Sequence, residues 1–303
     1  MKKSHISKLF NNEGLIIENN NALKLNEINI DEIKSLFKKY GIISFKNFNF
    51  NPQKLTTFTD LFTETYAADA RRRLKRYGKK NITNVDHGYN QIDLHSEASF
   101  APAWPEIVWF FCITPTAGKG GSTTLCDGLN VWDNLSNNSK NFFLKNPIIY
   151  KLKIPVVDKK PGKGIKPWTL NDPDVSQCFL DWETGLLNLI LSRHAVHRDK
   201  FSKKLCFSNH LLIKLSSEDQ IISRSLSNDK KIPDEIINEI NTISSNLTFD
   251  YNWEKNDLIM INNKRFMHGR RAYEKKDPRD IVNIQTGKAQ FGNGFVTKIE
   301  ENT

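Results

Sequence analysis

The sequence predicts a mostly β fold with flanking helices, in which a core pair of sheets is assembled from both halves of the chain. Three observations predict it. Strand-type runs rich in β-branched and aromatic residues dominate residues 94–126 and return at 258–261, 280–286 and 294–297. Helical spacing of apolar residues is confined to a few segments before and between those runs. The elements also do not alternate strand and helix, as a doubly wound sheet would require.

The elements follow in chain order. Residues 30–40 place Ile30, Ile33, Leu36 and Phe37 on one helical face, with Asn29 or Asp31 near the cap and Gly41 as the stop. Residues 41–46 read as a strand, and residues 52–65 as a second helix with Leu55, Phe58, Leu61 and Phe62 inward. Residues 106–114 are an aromatic strand, and a Gly-Lys-Gly-Gly turn leads into another at 123–126. Short helical pieces are expected at 131–135 and 141–144, then a strand at 148–157. Pro161, Gly162, Gly164, Pro167 and Pro173 make 161–174 loop-like. Helices are expected at 217–227 and 233–242, the latter with a stripe of Ile236, Ile237, Ile240 and Ile243.

Composition sets the outer bounds. The chain has 303 residues, 38% hydrophobic and 26% charged, enough for a packed core and far from the composition of a disordered chain. No run approaches the roughly 18 apolar residues of a membrane span. The basic start has no apolar run behind it, so no secretory signal is expected. Cys112, Cys126, Cys178 and Cys206 form no Cys-x-x-Cys pair, which points away from zinc ribbons and disulfide frameworks and towards a reducing, cytoplasmic setting. Of the net charge of +10, seven positive charges fall in Arg71-Arg-Arg-Leu-Lys-Arg-Tyr-Gly-Lys-Lys80, leaving about +3 for the rest. Such a patch suits an acidic partner or an anionic substrate. Tyr77 alone supplies an aromatic ring within it, which disfavours nucleic acid, whose readers interleave stacking residues with charge.

Seven histidines are available for chemistry. In His95-Ser96-Glu97 an extended backbone turns the imidazole and the carboxylate to one side, where both can bind one ion. A distant histidine would complete a two-histidine, one-carboxylate set, which suits non-haem Fe(II) with open positions. Other readings are weaker. His194-Ala-Val-His197 lies near Cys178 and Cys206 but lacks zinc-site spacing, so loop or helix histidines are expected there.

The context of the pair is ordered. An aromatic strand follows it, then Gly120-Gly121-Ser122-Thr123 and Leu125-Cys126-Asp127-Gly128. Trp253 and Asp257-Leu-Ile-Met-Ile261 run into His268-Gly269-Arg270-Arg271, and Arg279 stands eleven residues after that histidine. This set resembles the taurine dioxygenase (TauD/TfdA) family of Fe(II)/2-oxoglutarate oxygenases over roughly residues 30–284. It is nearest in style to the clavaminate-synthase-like and SyrP-like members, whose metal carboxylate is Glu. The resemblance implies one oxygenase domain over 1–303 with a double-stranded β-helix (jelly-roll, cupin-like) core. An α/β start at about 1–90 and an inserted lid or substrate region at about 158–248 complete it.

By the same resemblance His95, Glu97 and His268 are the metal ligands, Thr123 contacts a 2-oxoglutarate carboxylate, and Arg279 clamps the far one. A planar, permanently charged guanidinium suits that last role. Many members carry a second basic residue where this chain has Asn283. Candidate substrate contacts are Asn209, in the region that approaches the substrate, Arg270 and Arg271, which flank His268, and Arg73 and Arg76 of the basic run, expected at the active-site mouth; the plain reading of that run is a solvated helix end or loop. The implied chemistry is iron-centred, with Fe(II), 2-oxoglutarate and O2 and no separate acid or base. It leads most directly to hydroxylation of a small polar or anionic metabolite, free or carrier-tethered. Desaturation or cyclisation on the same iron, or a basic binding protein with a vestigial metal site, are the alternatives. Glu97 argues against halogenation, for which related enzymes carry a small residue in place of the carboxylate. The oligomeric state is left open, a homo-oligomer included.

Overall fold

The computed structural model describes residues 5–10, 13–20, 27–67, 73–85, 88–102, 104–155, 164–167, 172–213, 222–291 and 296–297. The chain begins with two strands, β1 (His5–Phe10) and β2 (Glu13–Glu18). Helix α1 (Ile30–Tyr40) follows; Asn29 accepts the Glu32 N–H at its start, and Gly41 closes its end in the left-handed region, φ +74°. Strand β3 (Ile42–Lys46) leads to the short helix α2 (Leu55–Thr59) and to β4 (Thr63–Tyr66). The basic hairpin β5 (Lys75–Arg76) and β6 (Lys79–Asn84) comes next, turning at Tyr77 and Gly78, both at positive φ. Strands β7 (Ile92–His95), β8 (Ile107–Thr114) and β9 (Thr123–Asp127) complete the first half, followed by α3 (Gly128–Asn134) and α4 (Asn137–Lys145).

The middle of the chain is largely strand. It holds β10 (Ile148–Pro155), β11 (Ile165–Pro167), β12 (Val175–Asp181), β13 (Leu186–Arg193), β14 (Val196–Asp199), β15 (Leu205–Phe207) and β16 (Ile222–Ser225). After α5 (Asp234–Leu247) come β17 (Phe249–Tyr251), β18 (Leu258–Asn262), β19 (Phe266–Arg270), β20 (Asp280–Ala289) and β21 (Val296–Thr297).

Two sheets draw on both halves of the sequence. The larger runs β1-β2-β3-β18-β8-β20-β6-β5, with β4 also on β20; the smaller runs β17-β9-β19-β7. Strand β8 reads as an unbroken apolar run because both its faces are covered. Val108, Phe110 and Cys112 pack between the sheets with Leu125, Ile259 and Ile281. Ile107, Trp109 and Phe111 face the other way, against Phe37 of α1 and Phe58 of α2. A third sheet, β11-β12-β13-β10-β16, packs with α3 and α5 around a separate apolar cluster that includes Tyr150, Leu191 and Ile240. Among the described residues no helix is long and apolar enough to cross a membrane.

The structure corrects several expectations. The helix at 52–65 shrinks to α2 between single 3-10 turns, and from Thr63 the chain is strand. Pairing with β20 wins there, pinned by the Thr63–Thr286 hydroxyl contact at 2.7 Å, and Leu61 is left exposed. In 217–227, residues 217–221 lie outside the described set; from Ile222 the chain pairs with Leu152 of β10 as a strand and then makes a 3-10 turn. His197 lies on strand β14, where its Nε2 faces the Lys264 carbonyl at 2.7 Å, in place of a loop or helix. The basic run is an edge hairpin, not a helix end, with Arg71 and Arg72 outside the described residues. Strands β1 and β2 and the β12–β13 hairpin are additions that the periodicity did not reveal.

Candidate metal centre

His95 ends β7 and His268 stands in the middle of β19, and antiparallel pairing sets the two residues directly opposite each other. Their ring centroids are 4.5 Å apart. Gly269 allows this approach: a Cβ there would lie 2.4 Å from the Ile92 carbonyl and 2.7 Å from Thr124 Oγ1. Glu97, just past the strand, brings its Oε2 to 3.8 Å from the Nε2 atoms of both histidines. One donor atom from each of the three buried residues lies within 4.8 Å of the others, a spread that a single divalent ion can draw together.

Ligation needs neutral imidazoles and an ionised carboxylate. His95 Nδ1 faces the Asp93 carbonyl at 2.9 Å, which assigns its proton to that nitrogen and leaves Nε2 with its lone pair. Burial, reinforced by the nearby His95, pushes His268 down to about 4. Burial alone would raise Glu97; the Arg73 cation, with the two histidines adding to it, overrides burial and holds the carboxyl well below its usual range. The Nη2 of Arg73 lies 3.2 and 3.3 Å from the two Glu97 oxygens, with both side chains nearly buried.

These residues wall a cavity between the two sheets. Its polar groups include Thr123, Arg279 and Asn283, and Val85, Phe110 and Ile281 give it an apolar side. Phe110 meets His268 edge-on, with centroids 5.2 Å apart. Arg279 Nε donates to the Gly121 carbonyl at 2.8 Å, leaving its two terminal nitrogens without a hydrogen-bond partner among the described residues. Burial and the Arg270 charge lower this guanidinium to about 10, so it stays charged at neutral pH. Trp253 Nε1 donates to the Thr123 hydroxyl at 3.0 Å, so the hydroxyl hydrogen is available to a carboxylate in the cavity. Sequence reasoning missed this tryptophan, although it lies in the quoted Trp253–Asp257 stretch.

The other expected contacts divide. Arg73 and Arg270 line the cavity, and Arg270 also donates to the Asn90 carbonyl at 2.9 Å. Arg76 does not line it: its two terminal nitrogens pair with Asp280 at 3.0 and 2.9 Å, tying the basic hairpin to β20. Arg271 is exposed and bonded to Asp250 at 2.9 Å. Asn209 likewise does not line the cavity, its amide engaged by the Ala195 carbonyl and the Leu211 N–H, each at 2.9 Å. Asp127 does turn chemistry, capping α3 through the Leu129 N–H and pairing with Arg265.

These features coincide with the outcome of comparison to known proteins. The family described as "Taurine catabolism dioxygenase TauD, TfdA family" matches residues 4–285. The chain belongs to this family. It is therefore an Fe(II)/2-oxoglutarate-dependent dioxygenase, with O2 as co-substrate and a small molecule as substrate. A 3-((Z)-2-isocyanoethenyl)-1H-indole synthase from Fischerella ambigua is 21% identical over 264 residues, 86% of this chain and 87% of that one. A taurine dioxygenase from Burkholderia xenovorans superposes with a TM-score of 0.63 at 11% identity, covering 98% of this chain and 95% of that one. PvcB, described as an Fe, alpha-ketoglutarate dependent oxygenase from an isonitrile synthetic pathway, superposes at 0.57 and 12% identity, covering 93% and 91%. At these identities the superpositions speak for the shared jelly-roll core.

Within this TauD/TfdA frame Asn283 stands out. The Asn283 amide is 1% exposed, and neither its oxygen nor its nitrogen has a hydrogen-bond partner among the described residues. Each unmet group costs about 1–3 kcal/mol. Replacing Asn283 with Leu is expected to raise the thermal midpoint of the ligand-free protein, read by calorimetry; a lower midpoint would mean that the amide is satisfied in solution.

Proposed function

We propose that His95, Glu97 and His268 hold the iron, that Thr123 and Arg279 anchor the two carboxylates of 2-oxoglutarate, and that the enzyme hydroxylates an unactivated C–H bond of a small polar or anionic metabolite. The observation that carries this reading is the convergence of three donor atoms within 4.8 Å on the wall of a cavity that also holds Thr123 and Arg279. When bound, iron with 2-oxoglutarate supplies oxidising power: one O2 is consumed, one oxygen enters the substrate and the other enters succinate as CO2 is lost.

The protein's own residues set the conditions for that chemistry. Glu97 stays ionised, and with the two imidazoles it would offer three donors to the ion and leave further positions for exchangeable ligands. Arg279 fixes one end of 2-oxoglutarate by a two-point contact that an ammonium cannot reproduce. Val85, Phe110 and Ile281 keep the reacting face apolar. Arg73 and Arg270 bring two cations to the same cavity and support an anionic substrate, free or presented on a carrier. The middle region, about 158–248, is the proposed wall of the substrate pocket within a single domain. A cytoplasmic setting fits the unpaired cysteines.

Hydroxylation is tested by a succinate-release screen over acidic metabolites and carrier-bound amino acids, with products read by mass. A gain of one oxygen is expected. The Fischerella relative, whose name specifies an ethenyl product, favours desaturation as the second reading. A product lighter by two hydrogens would establish that outcome and overturn hydroxylation.

A further inference from the structure

Glu97 lies beyond the end of β7, so no strand ladder holds it. Its backbone is gripped instead by one side chain. The Asn263 amide oxygen accepts the Glu97 N–H at 2.8 Å, and its nitrogen donates to the Glu97 carbonyl at 3.0 Å and the Pro105 carbonyl at 2.9 Å. Asn263 thus meets the Glu97 peptide groups much as a neighbouring strand would, and ties them to Pro105. It is fully buried. Its backbone joins the same contact: the Asn263 carbonyl accepts the Ser96 hydroxyl at 2.6 Å, and its N–H donates to the Glu106 carbonyl at 3.0 Å.

The segment held this way is strained. Ala98, immediately after Glu97, has φ +51°, a conformation that costs a non-glycine residue about 1–3 kcal/mol and persists only where its surroundings impose it. Asn263 also sits in the turn between β18 and β19, five residues before His268. The grip therefore ties the carboxylate of one half of the chain to the hairpin that carries the distal histidine of the other.

We propose that Asn263 is a positioning residue that fixes Glu97 against the His268 hairpin and so sets the metal affinity of the centre. The inference rests on the metal assignment above. Asn263 touches neither ion nor substrate; it acts through the Glu97 peptide. Outer partners that orient a ligand typically contribute 10–100-fold in metal affinity.

The test is Mn(II) binding to the full-length protein by titration calorimetry, well below the thermal midpoint of each variant. Asn263→Ala is expected to weaken Mn(II) binding by about 10–100-fold. Asn263→Asp keeps the acceptor for the Glu97 N–H but sets an oxygen against the Glu97 and Pro105 carbonyls, so its loss should be at least as large as that of Asn263→Ala. Ser208→Ala is the control. It removes a hydroxyl 3.4 Å from the Asn263 carbonyl but leaves the Glu97 contacts intact, so its Mn(II) affinity should match the wild type even if its midpoint falls. If Asn263→Ala does not fold, Asn263→Asp decides. Folded variants that bind Mn(II) within twofold of wild type, or a Ser208→Ala loss as large as theirs, would overturn the proposal. A wild-type protein that binds no Mn(II) would instead overturn the metal assignment on which it rests.

Discussion

Replacing His268 with Ala is expected to weaken metal binding by well over about 100-fold and to abolish 2-oxoglutarate turnover, measured by Mn(II) titration and succinate release. The size follows from the geometry. Removing an outer partner of a ligand already costs 10–100-fold, and His268 supplies a donor atom itself. No described neighbour can replace it, since His95 and Glu97 are the only other members of the cluster. The ring also packs against Phe110, so Ala leaves a hole in the core; His268→Gln restores much of the volume and should remain deficient in metal. Turnover by a folded variant at a rate near wild type would remove His268 from the centre.

Replacing Arg279 with Lys should leave the metal site intact and raise the 2-oxoglutarate concentration needed for half-maximal turnover by about 10–100-fold. A charge-assisted hydrogen bond contributes about 1.5–3 kcal/mol, and lysine retains the charge but gives up one of the two contacts. It also loses the bond from Nε to the Gly121 carbonyl, which holds the guanidinium in place. Mn(II) affinity without 2-oxoglutarate should be unchanged, which separates this effect from that of His268. A variant with an unaltered 2-oxoglutarate requirement would show that the clamp lies elsewhere.

Much of the candidate site could be read from the sequence because its residue types suit metal and carboxylate binding and their order resembles a known family. His-x-Glu on an extended segment, a second histidine far along the chain and an arginine eleven residues later are what the family resemblance picks out. The structure brings all of them to one cavity. The helices with strong caps were legible too: Asn29 and Gly41 bound α1 as the local rules expect.

What the sequence concealed depends on distant pairing. Residues 63–66 have helical spacing with what precedes them, yet β20 offers a ladder that a helix could not use. The β12–β13 hairpin reads Val175-Ser-Gln-Cys-Phe-Leu-Asp181 and Leu186-Leu-Asn-Leu-Ile-Leu-Ser-Arg193, with a Thr-Gly turn inside 182–185; its pairing partner β10 is about 30 residues away. Asn263 gave no signal either, because nothing about an asparagine in a hairpin turn says whose backbone it will bind. Asn209, placed by resemblance, meets the metal-ligand segment through its backbone, whose carbonyl accepts the Ser96 N–H at 2.8 Å, while its side chain faces a local turn.

The measurement that bears most directly on the metal centre is an anaerobic titration of the wild-type protein with Fe(II) and 2-oxoglutarate, followed by visible absorbance. A metal-to-ligand charge-transfer band that saturates at one iron per chain, and is missing from His268→Ala, is the expected result. Absence of the band from the wild-type protein at saturating iron and 2-oxoglutarate would contradict the assignment of His95, Glu97 and His268 as its ligands.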